Sequence, residues 1–129
     1  MKAERVGAKA TVLMLGYSYK ANVGDIRFSP SATIFNQLQE RNIKVQIYDP
    51  VAKAVVSESQ RRFFVDDPYK AAEDADCLLV TVGHDAFKSL DFKSFAKGMR
   101  TPLFYDCTLS FDPERLRETG FKYKGVGRS

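Results

Sequence analysis

The chain has no apolar run approaching the roughly 20 residues that a membrane-spanning helix needs, which excludes a bilayer-crossing helix. Cysteine is scarce. Cys77 and Cys107 stand alone, without a Cys-x-x-Cys spacing, so neither a disulfide framework nor a zinc site is indicated. Such usage fits a reducing cytoplasm. The opening MKAERVGAKA is polar and lacks the hydrophobic centre of a signal peptide. No basic run exceeds Arg61-Arg62, and no aromatic-basic strand of the RNA-binding kind is present. The net charge of +4, from 20 basic and 16 acidic residues, is too small and dispersed to demand nucleic acid. It does suit a small anionic ligand. These absences predict a soluble cytoplasmic protein whose partners are neither membrane nor nucleic acid.

Low-complexity stretches, internal repeats and linkers rich in Pro, Gly and Ser are also missing. With 129 residues and 44% apolar content, the chain can bury a core as one domain without staples. Residues 1–10 read as a lead-in and residues 11–129 as that domain. Thr11 to Leu15 is a continuous apolar run, as in strands buried on both faces of a parallel sheet. Ser29 and Pro30 suit a helix start, and Ile34, Phe35 and Leu38 recur at helical spacing toward Arg41. A second strand spans Lys44 to Tyr48 and is closed by Asp49-Pro50.

A short helix over Lys53 to Gln60 and a short third strand over Phe63 to Val65 follow. Asp67-Pro68 opens a brief helix, and Cys77 to Val82 is a fourth strand ended by Gly83. The pattern continues with a helix around Leu90 to Ala96 and a strand over Leu103 to Asp106. A helix capped at Asp112-Pro113 comes next, and a last strand covers Phe121 to Val126. This alternation predicts an α/β fold, a three-layer, Rossmann-like doubly wound sheet, mostly parallel, with about five or six strands. Ligands of such folds sit beyond the carboxyl ends of the strands. Function is therefore expected at residues 16–27, 49–50, 83–87 and 106–110.

The turn after the first strand lacks the G-x-G-x-x-G spacing of a dinucleotide loop and carries LGYSYK instead. Lys20 can reach a phosphate as a point charge, and Tyr19 can stack on a base or bond a phosphate oxygen. Both read equally well as solvent-facing loop residues. Asp25 fits a brace of the loop, while Arg27 is either part of that brace or an arginine held ready for a phosphate. Asp49 occupies the place of a ribose-binding acid, but Asp-Pro as a turn former is the better reading. His84 is the sole histidine, and Asp85 is nominated as its partner only by adjacency, so a structural role is favoured. Cys77 fits a small core residue, and Cys107 lies at a strand end. No paired-carboxylate, Ser-His-Asp or metal constellation stands out.

LGYSYK followed by Asp25, Arg27, Ser29 and Pro30 resembles the signature that opens the C-terminal domain of the UDP-glucose/GDP-mannose dehydrogenase family. VQIYDP, DADCLLVTVGHDAF and DPERLRETGFKYKGVG continue the resemblance in order, over residues 11–127. The resemblance implies an enzyme of three parts. An N-terminal domain binds NAD, a helical centre carries the catalytic cysteine and lysine, and the C-terminal domain holds the substrate's nucleotide. Together they oxidise a sugar C6 alcohol to an acid, as from a UDP-sugar to a UDP-uronic acid.

This chain matches the last part alone, so it is expected to hold no NAD and to have no dehydrogenase activity by itself. Its implied partners are the UDP-sugar, or another nucleotide sugar, and the NAD-binding and central domains of the same enzyme; a homodimer is compatible. By the resemblance Tyr19 and Lys20 contact the diphosphate end of the substrate, and Arg27 faces the NAD of the other domain. The family's Asp-Gly-Arg stretch falls on Asp106-Cys107-Thr108. Thr108 there offers a phosphate a hydroxyl, without charge or a bidentate fork. The alternative is a free-standing nucleotide-binding or subunit-pairing module without catalysis.

Overall fold

A computed structural model of the chain describes residues 10–17, 30–53 and 56–125. Five strands, β1 (Thr11–Leu15), β2 (Lys44–Tyr48), β3 (Cys77–Val80), β4 (Leu103–Asp106) and β5 (Lys122–Gly125), form one sheet in the order β2-β1-β3-β4-β5. All neighbours are parallel. The helices are α1 (Pro30–Glu40), α2 (Pro50–Lys53), α3 (Glu58–Arg61), α4 (Pro68–Ala72), α5 (Asp85–Lys88), α6 (Phe92–Gly98) and α7 (Pro113–Glu118).

The expected strand at Phe63 to Val65 shrinks to a single parallel bridge between Ile47 and Phe64. Ile47 donates its amide to the Phe63 carbonyl, and Val65 donates to the Ile47 carbonyl. Pairing can go no further because Asp67 already caps α4, its carboxylate accepting the Tyr69 and Lys70 amides. The bridge lies on the free edge of β2. Counted as a vestigial strand, it gives the sheet the 3-2-1-4-5-6 order of a Rossmann fold. The expected helix over Lys53 to Gln60 is replaced by α2 and α3, and α5 is an addition.

Strand alternation divides the core in two. Val12, Met14, Val45, Ile47 and Leu79 face α1 and α2, packing with Phe35, Leu38 and Ala52. Leu13, Leu15, Leu78, Val80 and Phe104 face the other way, toward Ala72, Phe87, Phe95 and Leu116 of α4 to α7. This is why β1 and β3 read as unbroken apolar runs: every residue of both is buried. On the second face Phe104 is ringed by Phe92, Phe111, Phe121 and Tyr123 at centroid distances of 5.2 to 5.9 Å. The switch in winding direction falls between β1 and β3, so their carboxyl ends mark where a ligand site is expected.

Candidate functional site

The β1 exit is fixed by a glycine. Gly16 has φ +112, and a Cβ there would meet the Val82 amide nitrogen and Cβ at 2.8 Å. Thr81 closes the same junction, its hydroxyl donating to the Gly16 carbonyl at 2.8 Å. The β1 and β3 exits are thus drawn together at the switch point.

Tyr17 follows, and it is a core residue. Its ring packs edge-on to Phe35 and Phe64, and its hydroxyl accepts from Gln60 Nε2 at 2.9 Å. Its amide donates to Asp49 Oδ2 at 2.7 Å. Asp49 is fully buried at the β2 exit, where Oδ1 accepts the Val51 and Ala52 amides that open α2. His84 lies 3.0 Å from Oδ2 through Nε2, and since a carboxylate only accepts, Nε2 carries the proton. Burial pushes the Asp49 carboxyl up, but the hydrogen bonds from His84, Ala52 and Tyr17 outweigh it and hold the group below its ordinary value. One carboxylate therefore ties three strand exits together.

The turn after β4 is organised by a second buried carboxylate. Asp106 Oδ1 accepts the Thr108 and Leu109 amides and the Thr108 hydroxyl, the last at 2.7 Å. Its Oδ2 accepts the Phe111 amide and the Tyr123 hydroxyl. Thr108 Oγ1 in turn accepts the Ser110 amide at 3.1 Å. This turn lies directly on the β3 exit, because a Cβ at Gly83 would meet Ser110 Oγ at 2.5 Å and Thr108 Oγ1 at 3.7 Å.

Of the residues singled out in the sequence, Tyr19, Lys20, Asp25 and Arg27 lie outside the described residues. Thr108 is at the carboxyl rim of β4. Asp49 and His84 meet, whereas Asp85 points elsewhere, with Lys88 at 3.9 Å. The adjacency that nominated Asp85 is thus corrected: the partner comes from another strand exit. Cys77 is buried in β3 and its thiol is pushed up to about 12 by burial, while Cys107 is half-buried and raised by burial and by Asp106. For both, burial outweighs any influence that would favour the thiolate. Among the described residues no group of three or more His, Cys, Asp or Glu is placed to hold a metal ion. No helix among them is long and apolar enough to cross a membrane.

Sequence reasoning missed the Asp106 turn and the burial of Tyr17. The first had a signal, since an aspartate followed two residues later by threonine is a recurrent turn pattern. The second had none, because GYSYK offers two tyrosines of equal local character.

The description of the UDP-glucose/GDP-mannose dehydrogenase family, UDP binding domain, matches residues 13–113. A UDP-glucose 6-dehydrogenase of Pseudomonas aeruginosa is 34% identical over 125 residues, covering 92% of this chain and 28% of that protein. The corresponding enzyme of Rhizobium meliloti is 31% identical, covering 91% and 27%. Among solved structures, an NDP-N-acetyl-D-galactosaminuronic acid dehydrogenase of Methanosarcina mazei superposes with a TM-score of 0.77 at 26% identity, covering 94% of this chain and 25% of its own. The chain thus spans little more than a quarter of the length of these relatives. The glycine-closed β1 exit, the strand order and the matched residues converge: the chain belongs to the UDP-glucose/GDP-mannose dehydrogenase family, as its C-terminal, UDP-binding domain.

Proposed function

We propose that residues 11–129 form one domain that binds the nucleotide diphosphate of a UDP-sugar. In this reading it serves an enzyme whose other domains hold NAD and oxidise the sugar's C6 alcohol to the acid. The match of the UDP-binding domain over residues 13–113 carries the reading. The turns built on Asp49 and Asp106 at the carboxyl ends of the strands support it, since rigid, preorganised loops are what a phosphate site needs.

Lys20 supplies the point charge to the diphosphate and Tyr19 its stacking or hydroxyl contact. Thr108 acts first through its turn. Its single hydroxyl proton is directed to Asp106, so contact with a phosphate oxygen requires the hydroxyl to rotate toward the ligand. Arg27 faces the cofactor side.

The donor set of the described residues does not fit NAD. Asp49 stands where a dinucleotide fold places its ribose-binding acid, yet each of its oxygens already accepts two internal bonds. The Gly16 turn is closed by Val82. In this reading NAD, which would supply hydride acceptance in the whole enzyme, is held by another domain, and dehydrogenation needs that domain.

Calorimetric titration of UDP into this chain tests the reading. Weak binding is expected, reduced by Lys20→Ala and largely kept by Arg27→Ala. Absence of binding by the wild type would refute the nucleotide assignment. Binding indifferent to Lys20→Ala would remove that residue from the site, and a large loss with Arg27→Ala would move it to the substrate side.

A further inference from the structure

We propose that Leu109 is held in a left-handed backbone conformation so that its side chain meets the nucleoside of the bound nucleotide. The inference rests on the nucleotide-binding reading above and adds a residue to it. Leu109 has φ +56, a region that non-glycine residues other than Asn, Asp and His seldom adopt because Cβ crowds the backbone. Asn42, the other non-glycine residue with positive φ among those described, is of a type that tolerates it and ends α1. Leu109 has no such excuse.

Among the described residues the hydrophobic core does not take up the leucine. Leu109 is 43% exposed and belongs to neither core cluster. Tyr69, also exposed at 38%, is accounted for by stacking on Phe95 at 4.6 Å and by accepting the Asp91 amide. The strained conformation is nonetheless imposed firmly. Asp106 accepts the amides of Thr108, Leu109 and Phe111, so the turn is over-determined around the leucine. Strain that surroundings enforce, with no internal return, is characteristic of ligand clamps.

Position selects the occupant. Leu109 stands between the hydroxyl-bearing Thr108 and Ser110, on the turn that lies against Gly83 at the β3 exit. A protein interface needs about 800 Å² per partner, far more than one leucine supplies. A nucleoside is small, with apolar ring faces and polar edges, and suits an apolar finger flanked by hydroxyls.

Leu109→Gly and Leu109→Asn remove the apolar contact while tolerating the backbone, and Leu109→Met retains it. UDP affinity should fall about tenfold in the first two and stay within about threefold in the third. The melting temperature of Leu109→Gly should stay within about 2 °C of wild type or rise. Intermolecular NOEs should join the Leu109 methyls to ribose or uracil protons in the wild-type complex. Unchanged UDP affinity in the glycine and asparagine variants would overturn the proposal, as would an affinity loss without the NOEs. A melting temperature lower by several degrees would place the leucine in the fold and also overturn it. Failure of the wild type to bind UDP would sink the nucleotide reading itself, and is distinguished because it needs no variant.

Discussion

Asp49 and His84, 35 residues apart in the chain, meet at 3.0 Å through Oδ2 and Nε2, and both side chains are fully buried. The pair lies beneath the β1 exit, because Asp49 Oδ2 also accepts the Tyr17 amide. In the sequence Tyr17 immediately precedes the stretch that carries Tyr19, Lys20 and Arg27. Asp49 thus fixes the chain at the end of β1 from the neighbouring strand.

Asp49→Ala should destabilise the domain by about 3 kcal/mol, since it strands the amides of Tyr17, Val51 and Ala52 together with the His84 ring proton. Urea denaturation measures the loss. Unchanged stability would mean that water replaces the carboxylate.

The acid limb of stability should report the same group. Its folded pKa lies below the ordinary value, so the unfolded chain takes up the proton first. The contribution is complete above about pH 5 and is lost as pH falls through about 4 and on through the lower folded value. Denaturation free energies measured from pH 6 to pH 3 should fall steadily in the wild type and less steeply in Asp49→Asn. Parallel curves would place the acid sensitivity elsewhere.

Gly16→Ala should cost several kcal/mol, about 3 or more, because the backbone is left-handed and the new Cβ meets the Val82 backbone at 2.8 Å. Backbone cannot rotate away as a long side chain can. A variant with a wild-type denaturation midpoint would show that the β3 exit can yield.

The two thiols should differ in reactivity and neither should be fast. Cys77 is buried and its thiol is pushed up to about 12, so a disulfide reagent should reach it only on unfolding. Cys107, half-buried and raised by burial and by Asp106, should react first, slowly at pH 7 and faster as pH rises. Rapid stoichiometric modification of either at neutral pH would contradict this.

Tyr123→Phe should remove one donor to Asp106 at a cost of about 1 kcal/mol, with little change in packing against Phe104. The comparison of denaturation midpoints is direct. A cost near zero would mean that the Phe111, Leu109 and Thr108 bonds alone hold the turn.

Much of the fold was legible because its signals are local. The β1 run, the β2 strand stopped at Asp49-Pro50 and the helix starts at Asp67-Pro68 and Asp112-Pro113 are set by burial periodicity and capping within a few residues. The stretch from Val51 to Val65 was misread because α2 and α3 are single turns, too short for a period to emerge. Phe63 to Val65 has the composition of a strand, but it pairs with β2 at Ile47 alone before Asp67 opens α4.

What the sequence determined by itself is the α/β alternation, the loops where function must lie and, through LGYSYK and the motifs behind it, the family. Each depends on residues near one another in the chain. The tertiary structure alone decided that His84 answers to Asp49, that Tyr17 is core, and that the turn after β4 lies over Gly83 at the β3 exit. The sheet order makes these contacts. It sets β2 and β3 on either side of β1, about 10 Å apart, so that residues remote in sequence share one buried polar centre.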